Sequence, residues 1–213
     1  FLISAFLSSC LLANSEISTN YTYKDYENSK TKTQGKTLDY RFLHNFENSQ
    51  ITVNYEDSLT KRENEITKAK LTSLEVEKLS MKYLYNISDV LSFKTSFINI
   101  EDNLAPTDNG KIYGLGLSKS IDNSNEIKVD TYLSDYDDFN VNQYDLTFVK
   151  KFKFNDINFM GQTGVKYIDI NGSEYGNYTL KDNYYTSYFL NLNANYLNKN
   201  SNILYSMFRC AAP

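Results

Sequence analysis

The chain has 213 residues, a mean hydropathy of −0.52 and a formal net charge of −4, from 26 acidic and 22 basic side chains. The charge, and the lack of a basic stripe with interleaved aromatic residues, argue against nucleic acid as a partner. A membrane protein built of helices is excluded, because no run of about 20 apolar residues follows the N-terminal segment. The 19 Tyr and 13 Phe residues, with only 2 Pro and 8 Gly, favour one large β domain instead.

The first 15 residues, FLISAFLSSCLLANS, form an apolar stretch that ends in a small-residue site at 13–15. This pattern is typical of a secretory signal peptide, so we interpret residues 1–15 as a signal-peptide remnant whose charged start is missing. An alternative is a bacterial lipoprotein lipobox, LSSC, in which Cys10 would be acylated, although Leu11 and Leu12 continue the apolar run. A third reading, an ordinary buried segment, fits poorly with the abrupt change to polar sequence at Glu16.

The remaining residues, 16–213, are predicted to form a single domain. Cys210 and Cys10 are the only cysteines, so no disulfide framework is available. The sequence starts without Met and ends inside a strand-like pattern, and we therefore expect a fragment at both ends, with a final strand missing.

Short turns alternate with long polar segments along this domain. Turn-forming residues cluster at 47–49, 87–89, 122–125, 155–156 and 198–201. Longer polar connections are predicted at 27–35, 58–72, 102–110, 136–142 and 170–183. Between them, alternating apolar positions predict eleven strands. These lie at residues 21–23, 38–42, 51–55, 79–85, 91–97, 113–117, 127–133, 144–154, 157–167, 188–196 and 203–207.

The segment 144–167 has the clearest pattern of all, two strands joined by Asn155-Asp156, a composition favoured in two-residue hairpins. One face would pair Phe154 with Ile157, Phe152 with Phe159, Phe148 with Thr163, Leu146 with Val165 and Tyr144 with Tyr167. The other would pair Lys153 with Asn158, Val149 with Gln162 and Asp145 with Lys166. Only Lys150, opposite Gly161, interrupts the apolar face. Each arm has about 11 residues, enough for a tilted strand to cross a bilayer, which predicts a unit of a transmembrane β-barrel.

The placement of the loops agrees with this prediction. If the N-terminus starts in the periplasm, every long segment lies outside the cell and every tight turn lies in the periplasm. Over residues 17–208 the chain resembles the porin-like class of bacterial outer-membrane β-barrels in pattern, without a family-specific motif. The resemblance implies an all-β, antiparallel up-and-down transmembrane barrel in the bacterial outer membrane, and eleven predicted strands with one missing partner give it twelve strands. It also implies outer-membrane lipid, lipopolysaccharide, the barrel-assembly machinery and small hydrophilic solutes as partners, and no cofactor.

The inward-facing set contains more basic than acidic groups, seven to four. The predicted lumen-lining residues are Arg41, Lys82, Lys94, Lys128, Lys151, Lys153 and Lys166, with Asp39, Glu56, Asp130 and Asp145. Rings of Lys or Arg favour anions in a pore. The alternative is that these charges pair across strands and fill a narrow barrel, as Asp145 and Lys166 would do.

No residue pattern indicates an enzyme. The single histidine, His44, lies near the turn at 47–49 and is expected to be solvated or interfacial rather than catalytic. Acidic residues in the predicted loops, such as Asp102 and Asp137, could bind Ca²⁺, but no twelve-residue calcium loop is present, so a solvated acidic surface is the preferred interpretation. Tyr184 and Tyr185 could stack on sugars, and a place in an aromatic girdle explains them more simply.

The sequence therefore predicts a porin-like channel for passive diffusion of small hydrophilic solutes, with some preference for anions. The main alternative is a non-conducting structural or adhesion barrel whose polar interior is filled by its own side chains. A soluble lipocalin-like or sandwich protein is a further alternative, which would place the apolar faces inside.

Overall fold

The computed structural model describes residues 2–12, 14–26, 29–104, 106–155, 157–172, 174–175, 178–179, 184–196 and 199–211. It describes only the backbone of residues 2–12, 174–175, 178–179, 194–196 and 199–211. No helix in this part of the chain is long and apolar enough to span a membrane.

Fourteen strands make up the described secondary structure. They are β1 (Leu2–Leu12), β2 (Ser15–Asp25), β3 (Lys32–Asn45), β4 (Ser49–Glu63), β5 (Lys70–Ser88), β6 (Leu91–Asp102), β7 (Gly110–Ser120), β8 (Asn125–Asp135), β9 (Asn140–Phe154), β10 (Ile157–Asn171), β11 (Glu174–Tyr175), β12 (Tyr178–Thr179), β13 (Tyr184–Tyr196) and β14 (Lys199–Ala211). The all-β prediction is confirmed.

Twelve of these strands form one sheet in which each strand pairs with its neighbour in the sequence, while β11 and β12 form a separate hairpin between β10 and β13. The antiparallel up-and-down topology is therefore confirmed. The predicted closed barrel is not seen, because the described sheet has β1 at one end of its order and β14 at the other. An open order leaves two edges with unpaired backbone groups.

Cα packing divides the chain into two compact units. The first contains residues 1–84, 96–112 and 135–137. The second contains residues 85–95, 113–134 and 138–213.

In the second unit, the β9–β10 ladder has the predicted register throughout. Phe152 pairs with Phe159, Tyr144 with Tyr167 and Asp145 with Lys166, and Lys150 faces Gly161 as expected. Asn155 has φ of +51°, a left-handed conformation that Asn tolerates in a tight hairpin turn. Asp156, the other turn residue, lies outside the described residues.

In the first unit, two predicted long loops turn out to be partly strand. The β3–β4 ladder continues through Lys36–Leu59 and Gln34–Lys61 to Lys32–Arg62, inside the connections expected at 27–35 and 58–72. A ladder is held by backbone hydrogen bonds, so it extends past the point where the apolar alternation stops. The prediction was wrong there because it used side-chain pattern alone.

Residues 2–12 of the predicted signal-peptide remnant pair with β2, from Leu2–Lys24 to Leu12–Ser15. The side chain of Cys10 lies outside the described residues. The assignments of residues 1–15 as a leader and of Cys10 as a lipidation site remain predictions.

The two faces of the sheet differ in the first unit. One side carries Ile17, Phe42 and Val53 in one cross-strand row, and we call it the apolar face. The opposite side carries Ser18, Arg41 and Asn54, and we call it the polar face. The second unit repeats the division: its apolar face carries the predicted aromatic pairs of β9 and β10, and its polar face carries Asp145 and its alternate neighbours.

Burial is the reverse of that in a sandwich, whose apolar side chains fill the interior. Among the described residues, the only buried hydrophobic side chains are Leu43, 8% exposed, and Val149, 1% exposed. Both lie on the polar face, whereas Phe154 on the apolar face is 65% exposed. The large apolar side chains are therefore on the outside of each unit.

One glycine on the polar face of the second unit leaves room for an aromatic ring. Gly164 pairs with Phe189 of β13. A Cβ at position 164 would lie 2.7 Å from the Phe189 ring and would overlap the carbonyl oxygen of Leu146. Gly161, on the other face, offers open space, since its Cβ would meet only the Lys150 carbonyl at 3.9 Å.

Gly164→Ala is expected to lower the free energy of unfolding by about 1–3 kcal/mol, because the ring and the backbone must shift to accept the methyl group. Gly161→Ala is the matched control on the same strand and should change it by less than about 0.5 kcal/mol. Urea titration of the refolded protein measures both, and equal effects would contradict the proposed packing.

The β7–β8 turn depends on one carboxylate. Asp122 accepts hydrogen bonds from the backbone N–H groups of Ser124 at 2.7 Å and Asn125 at 2.8 Å, and from the Asn125 side chain at 2.8 and 3.0 Å. The hydrogen bond from the Asn125 side chain, followed by the backbone donor of Ser124, lowers the pKa of Asp122 below its ordinary value of 3.8.

Because the folded pKa is the lower one, the stabilisation by ionised Asp122 is complete above the unfolded value and disappears as pH falls through the folded pKa. Asp122→Ala should therefore lower the urea midpoint at pH 7, and the difference from wild type should shrink as the pH is lowered through that pKa. Asp122→Asn, which keeps an acceptor oxygen, should show a smaller effect at pH 7. A pH-independent difference for Asp122→Ala would contradict this role.

Candidate functional site

The polar face of the first unit forms a cavity of about 480 Å³ across β2 to β5. Two cross-strand rows build it: Ser18, Arg41 and Asn54 in one, and Asn20, Asp39 and Glu56 in the next. Lys78 and Ser80 of β5 complete the lining. Three of the predicted lining residues, Asp39, Arg41 and Glu56, thus meet in one place.

Neutral groups hold the side chains of this cavity. Asn20 Nδ2 donates to Asp39 Oδ2 at 3.4 Å, and Asn54 Nδ2 donates to Ser80 Oγ at 3.3 Å. The hydroxyl of Ser58 donates to Glu56 Oε1 at 3.1 Å. The two carboxylates are therefore anchored by amide and hydroxyl donors.

A different arrangement occurs on the polar face of the second unit, where an ion pair spans a strand. Lys94 Nζ of β6 lies 2.5 Å from Asp130 Oδ1 of β8 and donates to the Tyr132 hydroxyl at 3.3 Å. Gly116 of β7 lies beneath the pair, and a Cβ there would overlap the Asp130 carboxylate. Glycine at this position is what allows the two charges to meet across the intervening strand.

Two further cation–carboxylate contacts lie in the same unit. Lys166 Nζ is 3.9 Å from Asp145, whose carboxylate also accepts hydrogen bonds from Gln143 at 2.9 and 3.0 Å. Lys128 Nζ is 3.5 Å from Glu126. Lys94, Lys128 and Lys166, all predicted basic lining residues, therefore each have an acidic partner within 4.0 Å.

Lys151 and Lys153 differ from these pairs. They border a cavity of about 490 Å³ near the β9–β10 turn, together with Asn158, Met160 and Asn193. Within the described residues, no carboxylate lies within 4.0 Å of either lysine. This end of the polar face is therefore basic, although Lys151 also borders a second cavity that contains acidic turn residues.

The structure adds polar-face residues to the predicted set. Lys78 was missed because the apolar alternation slips between 71 and 79. Glu126 lies two and four positions before Lys128 and Asp130, and therefore on the same face of β8. It could have been predicted from the sequence. Lys82, a predicted lining residue, lies exposed on β5 and lines neither of the two large cavities.

His44 has a hydrogen-bonding partner that the sequence did not indicate. Its Nδ1 lies 2.6 Å from Ser15 Oγ, directly across the β2–β3 ladder. The ring packs edge-on against Phe46, with centroids 4.4 Å apart. Within the described residues no carboxylate bonds the ring, so these residues show no third group of a catalytic triad.

The acidic loop residues are engaged by polar groups of their own loop or of a neighbouring loop. Asp108 Oδ1 accepts from the backbone N–H of Asp102 at 2.8 Å, and Thr107 Oγ1 donates to Asp102 Oδ2 at 2.8 Å. Asn109 Nδ2 donates to Asp137 Oδ2 at 3.4 Å. No cluster of three metal-binding side chains was found in the described part of the chain.

The chain matches no protein-family model, no curated protein and no solved structure.

Lys94→Met is expected to lower the free energy of unfolding by on the order of 1–3 kcal/mol, since it leaves the Asp130 carboxylate without its cation in a largely buried site. Lys128→Met is the control, because its pair with Glu126 is longer and more exposed and should contribute less than about 1 kcal/mol. Urea unfolding of both variants tests the difference. If Lys128→Met is as destabilising as Lys94→Met, the bridge over Gly116 has no special role.

Proposed function

We propose that the chain is an outer-membrane β-barrel channel through which small hydrophilic solutes diffuse passively. The observation that supports this most strongly is the reversed burial. Apolar side chains such as Leu190, 58% exposed, cover one face of the strands, while only Leu43 and Val149 are buried among the described hydrophobic residues. Contiguous apolar surface of this kind needs a non-aqueous environment, which lipid provides.

Strand length and aromatic placement support the same environment. The strands of the sheet have 11 to 19 residues, enough to cross a bilayer when tilted. In the β9–β10 hairpin, the tyrosine pair Tyr144–Tyr167 lies towards one end and the stacked rings of Phe152 and Phe159, 5.0 Å apart, lie towards the other. Aromatic girdles at the two membrane interfaces have this placement.

A membrane setting also requires closure of the sheet. Backbone groups at an open edge cannot be satisfied in lipid, so the edges at β1 and β14 must pair, directly or through further strands. In the closed form, the polar face would line the interior, and its cavities would be sections of a water-filled path.

The selectivity of this channel depends on the basic groups without an acidic partner. Lys94, Lys128 and Lys166 are neutralised by nearby carboxylates. Lys151 and Lys153 have no such partner within the described residues, and the positive charge that they give the turn end of the path favours anions.

The alternative is a non-conducting structural or adhesion barrel. The Lys94–Asp130 bridge favours it, because a side-chain pair that reaches across β7 occupies interior space. Conductance separates the two functions.

Single-channel recording of the refolded protein in planar bilayers should show current, with a reversal potential in a salt gradient that indicates mild anion preference. The double variant Lys151→Glu/Lys153→Glu should shift the reversal potential towards cations, because it reverses the charge of the unpaired lysines. Lys150→Glu, the neighbouring residue on the apolar face, is the control and should leave selectivity unchanged.

An absence of current at every salt concentration would reject the channel and favour the structural alternative. Cation preference in the wild type would reject the role of the lysines. Migration in detergent gels tests the membrane barrel itself, since a closed barrel migrates differently before and after boiling. A soluble β protein would not show that difference.

A further inference from the structure

The cavity of the first unit contains four charged side chains that do not pair with one another. Asp39 and Glu56 are directly opposite in the β3–β4 ladder, and Arg41 and Lys78 line the same cavity. Within the described residues, none of these four groups has an oppositely charged partner within 4.0 Å. Two positive and two negative groups are therefore held apart in one space of about 480 Å³.

The carboxylate pair is an unusual feature of this cavity. Directly opposite residues in an antiparallel ladder have Cβ atoms about 4.5–5.5 Å apart, and like charges there destabilise the sheet. Single hydrogen bonds from Asn20 to Asp39 and from Ser58 to Glu56 leave acceptor capacity on both carboxylates. A cation placed between them would remove the repulsion.

The guanidinium lies next to this pair on the same face. Arg41 is two residues from Asp39 along β3, roughly 7 Å at the backbone. It pairs with Asn54 in the ladder and makes no ion pair within the described part of the chain. Its fork of donors suits a carboxylate. The positive and negative anchors are thus one row apart.

We propose that this cavity binds a small zwitterion of the free α-amino acid type. The ammonium group would donate to Asp39 and Glu56, and the carboxylate would accept from Arg41. Because the four side chains sum to zero charge, a net-neutral ligand leaves the cavity neutral, whereas a simple anion or cation leaves an unbalanced charge there. The inference rests on the proposed channel only for the route by which the solute arrives, and it names the class of that solute.

The Lys94–Asp130 pair contrasts with the first cavity, because in it two opposite charges pair directly. Those two charges meet at 2.5 Å over a glycine and satisfy each other. The four charged side chains of the first cavity do not form ion pairs with one another, so they remain accessible to a ligand.

Binding can be measured on the refolded full chain in detergent micelles by calorimetry, with L-alanine as the probe. L-alaninamide lacks the carboxylate and N-acetyl-L-alanine lacks the ammonium group. L-alanine should bind at least about tenfold more tightly than either, since each analogue loses one charged anchor. Equal affinity for the three compounds, or no binding of L-alanine, would overturn the inference without the need for any variant.

The variants locate the site. Asp39→Asn and Arg41→Gln should each weaken L-alanine binding by about tenfold or more. The matched controls are Asp57→Asn and Lys36→Gln, which make the same charge changes on the opposite face of β4 and β3 and should leave affinity unchanged. If the controls weaken binding as much as the site variants do, the cavity is not the site.

These results are independent of conductance. Selective L-alanine binding without current would reject the channel and keep the zwitterion site. Current without selective L-alanine binding would keep the channel and overturn the zwitterion site.

Discussion

The hydrogen-bonded antiparallel ladder determines which face of the sheet each side chain occupies, and the other features of this molecule depend on that assignment. Because side chains alternate between faces, each register fixes which residues lie on the apolar face and which lie on the polar face. In the β9–β10 hairpin, a shift of one residue would place the phenylalanines among the lysines. The turn at Asn155, with its left-handed φ of +51°, pins that register at one end.

On the polar face, the same ladder produces two distinct electrostatic arrangements. In the second unit, a glycine lets Lys94 and Asp130 meet across the strand that separates them. In the first unit, the ladder brings Asp39 and Glu56 face to face and keeps Arg41 one row away. Neutralised pairs consolidate the sheet, whereas the separated charges are the basis of the proposed ligand site.

The sequence was sufficient to predict the order of the eleven strands expected after residue 20 and the β9–β10 register, because alternation and turn chemistry are local properties. It did not predict β1, β11 or β12. It was not sufficient for contacts between non-adjacent strands, such as the bridge over Gly116, because those depend on the stagger between hairpins, which alternation does not encode.

Lys78 was missed for a related reason, since the pattern before it slips and its face could not be assigned. The extensions of β3 and β4 were missed because polar residues pair in a ladder as well as apolar ones do. Of the candidate site, Asp39, Arg41 and Glu56 were predictable from alternation, and so was the Asp145–Lys166 pair. Lys78 and the Lys94–Asp130 pair were not.

The exposed apolar face also bears on how such a chain reaches its final state. A sheet in which only Leu43 and Val149 are buried among the described hydrophobic residues gains little hydrophobic free energy by forming in water. In the proposed membrane setting, the driving force becomes available only when the outer side chains leave water, so folding and insertion would be one thermodynamic event. Before that event, the extended chain would have to be kept from associating through its strand edges.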